Sequence, residues 1–196
     1  MNIRTIRYGL WAAIAALGLF LAGAYGLGKF QSGNVTAELG APFNLVDQDG
    51  RPITEKAFEG HPSALFFGFT HCPDVCPTTL YELAGWLNQL GDEGKDLKAF
   101  FISVDPERDT PDVMKAYAGN FTDRITGITG DPAEVAKLIL GWKVYARKVP
   151  LDDGGYTMDH TASVFLLDRN GRLKGTIAYG ENPDTALQKL KRLVEG

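Results

Sequence analysis

Apolar and polar positions divide the chain into a charge-free N-terminal run and a longer segment in which strand-like and helix-like patterns alternate. From Tyr8 to Gly28 no residue is charged, a stretch long enough to cross a bilayer as one helix. Further on, Phe43 to Val46 and Pro52 to Thr54 flank Asp47-Gln-Asp-Gly50 and predict a hairpin. Ala64 to Phe69 contains no polar side chain, as a strand buried on both faces of a mainly parallel sheet requires. Leu80, Leu83, Leu87 and Leu90 recur at helical spacing, so a helix is predicted from Thr78 to Leu90, opened by Pro77 and stopped by Gly91. Lys98 to Val104 reads as a strand ended by Asp105-Pro106. Pro111 to Ala118 reads as a helix capped by Asp109 or Thr110. A short strand at Ile125 to Thr129 leads to Asp131-Pro132 and a helix to Leu140. Val144 to Val149 and Ser163 to Leu167 read as strands, and Asp168-Arg-Asn-Gly171 turns the second into Arg172 to Ala178. Asn182-Pro183 opens a terminal helix with Leu187, Leu190 and Val194 on one face.

Strands and helices alternating in the first half, closed by a hairpin and a helix, predict an α/β fold: a thioredoxin-like three-layer sandwich. The N-terminal hairpin and the segment from Arg124 to Leu140 are additions to that core. The expected organisation is a cytoplasmic N-terminus at 1–7, a single transmembrane anchor at 8–28, a tether at 29–40 rich in small and polar residues, and the folded domain at 41–196. Arg4 and Arg7 precede the apolar run and only Lys29 follows it. The positive-inside rule therefore places the N-terminus in the cytoplasm and the domain on the far side of the membrane. Ala22-Gly23-Ala24 also offers a small-x-small cleavage pattern, the alternative of a removed secretory signal, and either reading exports the domain. The formal charge of −4, less the two cytoplasmic arginines, leaves −6 on the exported part; with no basic cluster, this argues against a nucleic-acid partner.

The chain's two cysteines, Cys72 and Cys76, lie in Phe69-Thr-His-Cys-Pro-Asp-Val-Cys-Pro-Thr-Thr79 at a predicted strand-to-helix turn. Free backbone N–H groups and the positive end of a helix dipole favour thiolates there. Such a pair can exchange electrons or hold a soft metal. Outside the reducing cytosol it can also persist as a disulfide. Three residues separate the sulfurs, one more than in the thioredoxin redox motif, which lets both face a common point. A two-sulfur metal site is incomplete, so a third donor must come from elsewhere.

His61 reads as a solvated loop residue, and His71 as a tuner of thiolate charge more than a ligand. His160, in Tyr156-Thr-Met-Asp-His-Thr-Ala162, stands where a thioredoxin fold presents its cis-proline loop beside the cysteine turn. Spacing alone leaves it open between a structural histidine and a ligand. Asp159 could orient the His160 ring or cap the loop, Met158 reads as packing, and Asp74 as solvated. Asp105, Arg108 and Asp109 read as a structural turn and cap. A thiol peroxidase would carry a threonine three residues before its reactive cysteine, and Thr70 lies only two before Cys72. A structural disulfide across so short a loop would restrict little unfolded-chain entropy.

Gly68-Phe-Thr-His-Cys-Pro-Asp-Val-Cys-Pro-Thr-Thr79, Ser103-Val-Asp-Pro-Glu-Arg-Asp-Thr-Pro111 and Asp159-His160-Thr-Ala-Ser163 together resemble three signatures of the Sco/SenC family. These are membrane-anchored, copper-binding thioredoxin-fold proteins that help assemble the copper A centre of cytochrome c oxidase. The resemblance implies that Cys72, Cys76 and His160 bind Cu(I) or Cu(II), and two thiolates with one imidazole are donors that suit copper. It further implies a metallochaperone at the cell inner membrane with its domain on the periplasmic side. Its partners would be the copper-bearing oxidase subunit and a copper-donating chaperone. An enzyme-class alternative stays open, in which Cys72 and Cys76 are a redox-active pair that reduces the cysteines of the oxidase copper site.

Overall fold

The computed structural model describes residues 39–152 and 154–196, together with a few isolated positions between 4 and 18. Its contacts divide the chain into two units, Met1–Glu38 and Leu39–Gly196. The predicted anchor at 8–28 lies almost wholly outside the described residues, as does most of the tether. Among the described residues no helix is long and apolar enough to cross a membrane.

The second unit is built on a seven-stranded sheet of order β2-β1-β5-β4-β3-β8-β9. In chain order these strands are β1 (Leu45–Asp47), β2 (Pro52–Ile53), β3 (Ser63–Gly68), β4 (Lys98–Ser103), β5 (Ile125–Thr129), β8 (Ser163–Leu167) and β9 (Leu173–Ala178). The remaining strands, β6 (Ala146–Pro150) and β7 (Tyr156–His160), form a separate two-stranded sheet. The helices of this unit are α1 (Val75–Leu90), α2 (Pro111–Gly119), α3 (Pro132–Gly141) and α4 (Pro183–Glu195). The run β4-β3-β8-β9 is the thioredoxin-like core. Strand β3 pairs in parallel with β4 and antiparallel with β8, and β5, β1 and β2 extend the β4 side.

All six residues of β3 are buried; the strand starts at Ser63, one residue before the predicted apolar run, and ends at Gly68. Phe66 stacks on Phe101 with centroids 6.0 Å apart, and Phe101 meets Tyr117 of α2 at 5.7 Å on that face. Phe67 points the other way, towards Trp142 at the end of α3 and Phe165 of β8, at 6.3 and 5.6 Å. Helices thus cover both faces of the sheet, giving the three layers.

Helix starts follow the cap-plus-proline pattern. Asp131 accepts hydrogen bonds from the N–H groups of Ala133 (2.9 Å) and Glu134 (3.3 Å), and Asn182 accepts from Asp184 and Thr185, both at 3.1 Å. Thr110, not Asp109, caps α2, accepting from the Val113 N–H at 3.5 Å. Gly91, at φ +50, ends α1 in a conformation that a β-carbon disfavours.

Three elements differ from the sequence expectation. Helix α1 begins at Val75, three residues before the predicted start, so Cys76 lies inside its first turn. Pro77 is accommodated because first-turn N–H groups have no partner within the helix. The strand expected at Val144 to Val149 is shifted to Ala146–Pro150. Residues Tyr156–His160, read as a loop, form β7, paired antiparallel with β6 in the register Ala146↔His160. Among the described residues no peptide bond is cis.

Candidate metal centre

The site sits at the carboxyl ends of the parallel strands β3 and β4. There β3 gives way to the cysteine turn, and β7 delivers His160 just before β8 begins. One ligand atom from each of Cys72, Cys76 and His160 lies within 4.8 Å of the others. The His160 Nε2 is 3.4 Å from the Cys76 Sγ, and the Cys76 backbone N–H donates to the Cys72 Sγ at 3.3 Å. Cys76 is fully buried and Cys72 is partly exposed; both are free thiols.

The two sulfurs are electrostatically unequal. Hydrogen bonding from the Cys76 side chain holds the Cys72 thiol down to about 4, with further help from His160 and from the backbone N–H groups of Cys76 and Asp74, against the opposing effect of burial. Hydrogen bonding to Cys72, and then burial, push the Cys76 thiol upward. The pairing therefore favours the thiolate on the partly exposed Cys72 and the thiol on the buried Cys76. In the copper-free, reduced protein, iodoacetamide is expected to label Cys72 first. Labelling should persist from pH 8 to pH 5 and fall as pH drops through about 4, because protonation removes the nucleophile. Peptide mass mapping across pH checks this, and equal labelling of Cys76 would contradict it.

The His160 ring is oriented by the backbone and by aromatic rings. Its Nδ1 lies 3.1 Å from the Thr161 carbonyl oxygen, an acceptor that directs Nε2 towards the sulfurs when Nδ1 carries the proton. Phe69 meets the ring edge-on at 5.7 Å and 90°, and Phe66 at 6.2 Å and 66°. Asp159, one candidate for orienting this ring, instead pairs with Arg147 at 3.5 Å on the surface. His71 is exposed and stands outside the cluster, with its Nδ1 3.1 Å from the Thr70 Oγ1. The His61 Nδ1 lies 3.1 Å from the Ser63 Oγ at the start of β3. Met158 packs against the core, as expected.

The floor of the site tolerates no extra atom. A β-carbon on Gly68 would stand 2.8 Å from both the Cys76 Sγ and the Phe101 ring, closer than such contacts occur. Gly68→Ala is expected to cost about 1–3 kcal/mol of stability. It should also weaken metal binding by displacing the Cys76 sulfur. Thermal melting and a metal titration of the variant check this, and wild-type values for both would contradict it.

The family model SCO1/SenC matches residues 31–195. The chain belongs to the SCO1/SenC family. Among its relatives, Protein SCO2, mitochondrial, from Saccharomyces cerevisiae is 33% identical over the whole of this chain and 70% of its own length. A solved structure of Bradyrhizobium japonicum ScoI with copper bound is 50% identical, covering 79% of this chain and 99% of that one at a TM-score of 0.74. Another solved Sco protein, BsSco, is described as a member of the Sco family of cytochrome c oxidase assembly proteins with a disulfide switch. It is 26% identical, covering 80% of this chain and 93% of its own at a TM-score of 0.63.

The sequence places Phe69 in a buried strand and Arg108 in a structural turn, and specifies for neither a contact on the His160 side of the site. The Phe69 ring edge flanks His160. Arg108 lies over it, with its guanidinium 5.8 Å from the Phe69 centroid. The signal available was the charge-dense Asp105-Pro-Glu-Arg-Asp109, which is dense for a simple turn.

Proposed function

We propose that this Sco-family chain carries copper, held by Cys72, Cys76 and His160, to the copper A centre of cytochrome c oxidase. The observation behind this reading is the convergence of two sulfurs and one imidazole nitrogen within 4.8 Å, drawn from a turn and a strand 84 residues apart. Thiolate and imidazole donors suit copper, and a structural zinc site would take four protein donors. The copper-bound ScoI relative and the oxidase-assembly description of BsSco support the same reading. The half-exposed Cys72 gives an incoming donor a point of attack, so copper leaves by stepwise ligand exchange: the new sulfur binds as a bond to Cys72 is lost.

The proposal includes the membrane. An apolar segment at 8–28 would hold the domain on the periplasmic side of the inner membrane, beside the copper-bearing oxidase subunit and a copper-donating chaperone. The charge asymmetry of Arg4 and Arg7 against Lys29 supports this orientation.

A second reading is favoured by the acidity of the Cys72 thiol. A reactive, partly exposed thiolate backed by a buried protonated thiol is the arrangement of a dithiol reductant, which would reduce the oxidase cysteines before metal arrives. The two readings part in cells lacking the chain. Under copper carriage, oxidase activity returns fully with the wild-type chain but only in part with His160→Ala, which holds Cu(I) less tightly and loses Cu(II). Full restoration by His160→Ala, with none by Cys72→Ser, would replace carriage by thiol reduction.

A further inference from the structure

The two halves of the metal site come from different sheets. The cysteine turn follows β3 of the main sheet, and His160 ends β7, which among the described residues pairs only with β6. Between them lies the loop from Asp105 to Asp109, and its side chains reach both halves.

Asp109 is fully buried and grips the cysteine turn. Its carboxylate accepts from the Thr70 backbone N–H at 3.3 Å, from the Thr70 hydroxyl at 2.6 Å and from the Ser103 hydroxyl at 2.7 Å. Thr70 lies two residues before Cys72. Asp105, 2% exposed, faces the histidine strand. It accepts from the Arg108 Nε and from the Tyr156 hydroxyl, the latter at 2.9 Å. The Arg108 Nη1 donates to the Tyr156 carbonyl at 3.0 Å, and the guanidinium stacks 3.8 Å from the centroid of the Tyr156 ring. The loop is itself tied down. The Arg108 and Asp109 N–H groups both donate to the Asp105 carbonyl, and the Thr129 hydroxyl of β5 donates to the Asp109 carbonyl at 2.6 Å.

We propose that the 105–109 loop is a brace that sets the spacing of the metal donors, with Arg108 and Asp105 as positioning residues for His160. Asp109 holds the sulfur half through Thr70. Arg108 and Asp105 hold the strand that carries the nitrogen half through Tyr156, and Arg108 also backs Phe69, whose ring flanks His160. The inference rests on the copper reading for its consequence. Loosening the histidine half should affect Cu(II), which needs the imidazole, far more than Cu(I), which the two sulfurs retain.

Two variants test it in the whole chain. Arg108→Ala removes the stacked cation, and Tyr156→Phe deletes only a hydroxyl, which keeps the test informative if the first folds poorly. Supporting positions of metal sites typically contribute about 10–100-fold in affinity. Arg108→Ala is expected to weaken Cu(II) by an amount in that range and Tyr156→Phe by about tenfold. Cu(I) affinity should stay within about threefold, since both sulfurs remain. The sulfur-to-Cu(II) absorption should shift, and amide hydrogen exchange of Thr157 to His160 in the copper-free protein should quicken.

Unchanged Cu(II) spectra and dissociation in both variants would overturn the brace. So would parallel loss of both oxidation states alongside the melting temperature, since that marks a purely structural role. Should the wild type itself take no copper, the copper reading falls. The exchange rates still decide the brace: faster exchange supports it and unaltered exchange overturns it.

Discussion

Cys72→Ser and Cys76→Ser are each expected to lower Cu(I) affinity by more than about 100-fold, since removing a donor costs more than the 10–100-fold typical of groups that only support one. Thiolate is the soft donor in this site, and a serine hydroxyl neither ionises near neutral pH nor matches the softness of Cu(I). The fold should survive. Cys72 is partly exposed, and although Cys76 is fully buried, the His160 Nε2 at 3.4 Å offers a serine hydroxyl there a hydrogen-bond partner. Competition titration against a Cu(I) chelator reads the loss, and circular dichroism reads the fold. A variant that still takes one equivalent at wild-type affinity would remove that cysteine from the site.

His160→Ala is expected to separate the two oxidation states. With both thiols in place Cu(I) should be held within about tenfold of wild type, while Cu(II) should fall by more than about 100-fold, because the imidazole is the one borderline donor present. The sulfur-to-Cu(II) absorption should disappear or shift. The substitution also empties the space between Phe66 and Phe69, so a modest fall in melting temperature should accompany it. Equal losses of both ions would show that the histidine and the sulfurs do not play these different parts.

What could be read from the sequence follows from the range of the interactions involved. Strand β3 was legible because six consecutive residues are buried on both faces, a pattern that needs no knowledge of neighbours. The starts of α3 and α4 were legible because an Asp or Asn followed by proline caps a helix locally. Strand β7 was not, since the alternation in Tyr-Thr-Met-Asp-His spans only two apolar positions and closes on Asp-His, and what holds it is pairing with β6. The first turn of α1 was hidden by Pro77, which marks a helix start without saying whether it is the first or third residue.

The site divides in the same way. The cysteine pair announced itself by spacing. His160 became a ligand candidate with weight only through its resemblance to Asp-His motifs of the Sco family, and the fold then brought its Nε2 to the Cys76 sulfur. The Arg108 contact to Tyr156 spans 48 residues and rests on stacking and a backbone carbonyl, neither of which leaves a mark on local sequence. The sequence offers either Asp109 or Thr110 as the cap of a proline-opened helix. The capping went to Thr110, and the Asp109 carboxylate turned inward to Thr70 and Ser103, where burial pushes its pKa up.

X-ray absorption at the copper edge, recorded on the reduced chain in mild detergent after anaerobic loading with one equivalent of Cu(I), tests the central claim most directly. The account predicts two sulfur scatterers and one imidazole nitrogen around each copper, with the imidazole signature absent from His160→Ala. A copper surrounded only by nitrogen and oxygen, or an imidazole signature that persists in His160→Ala, would contradict it.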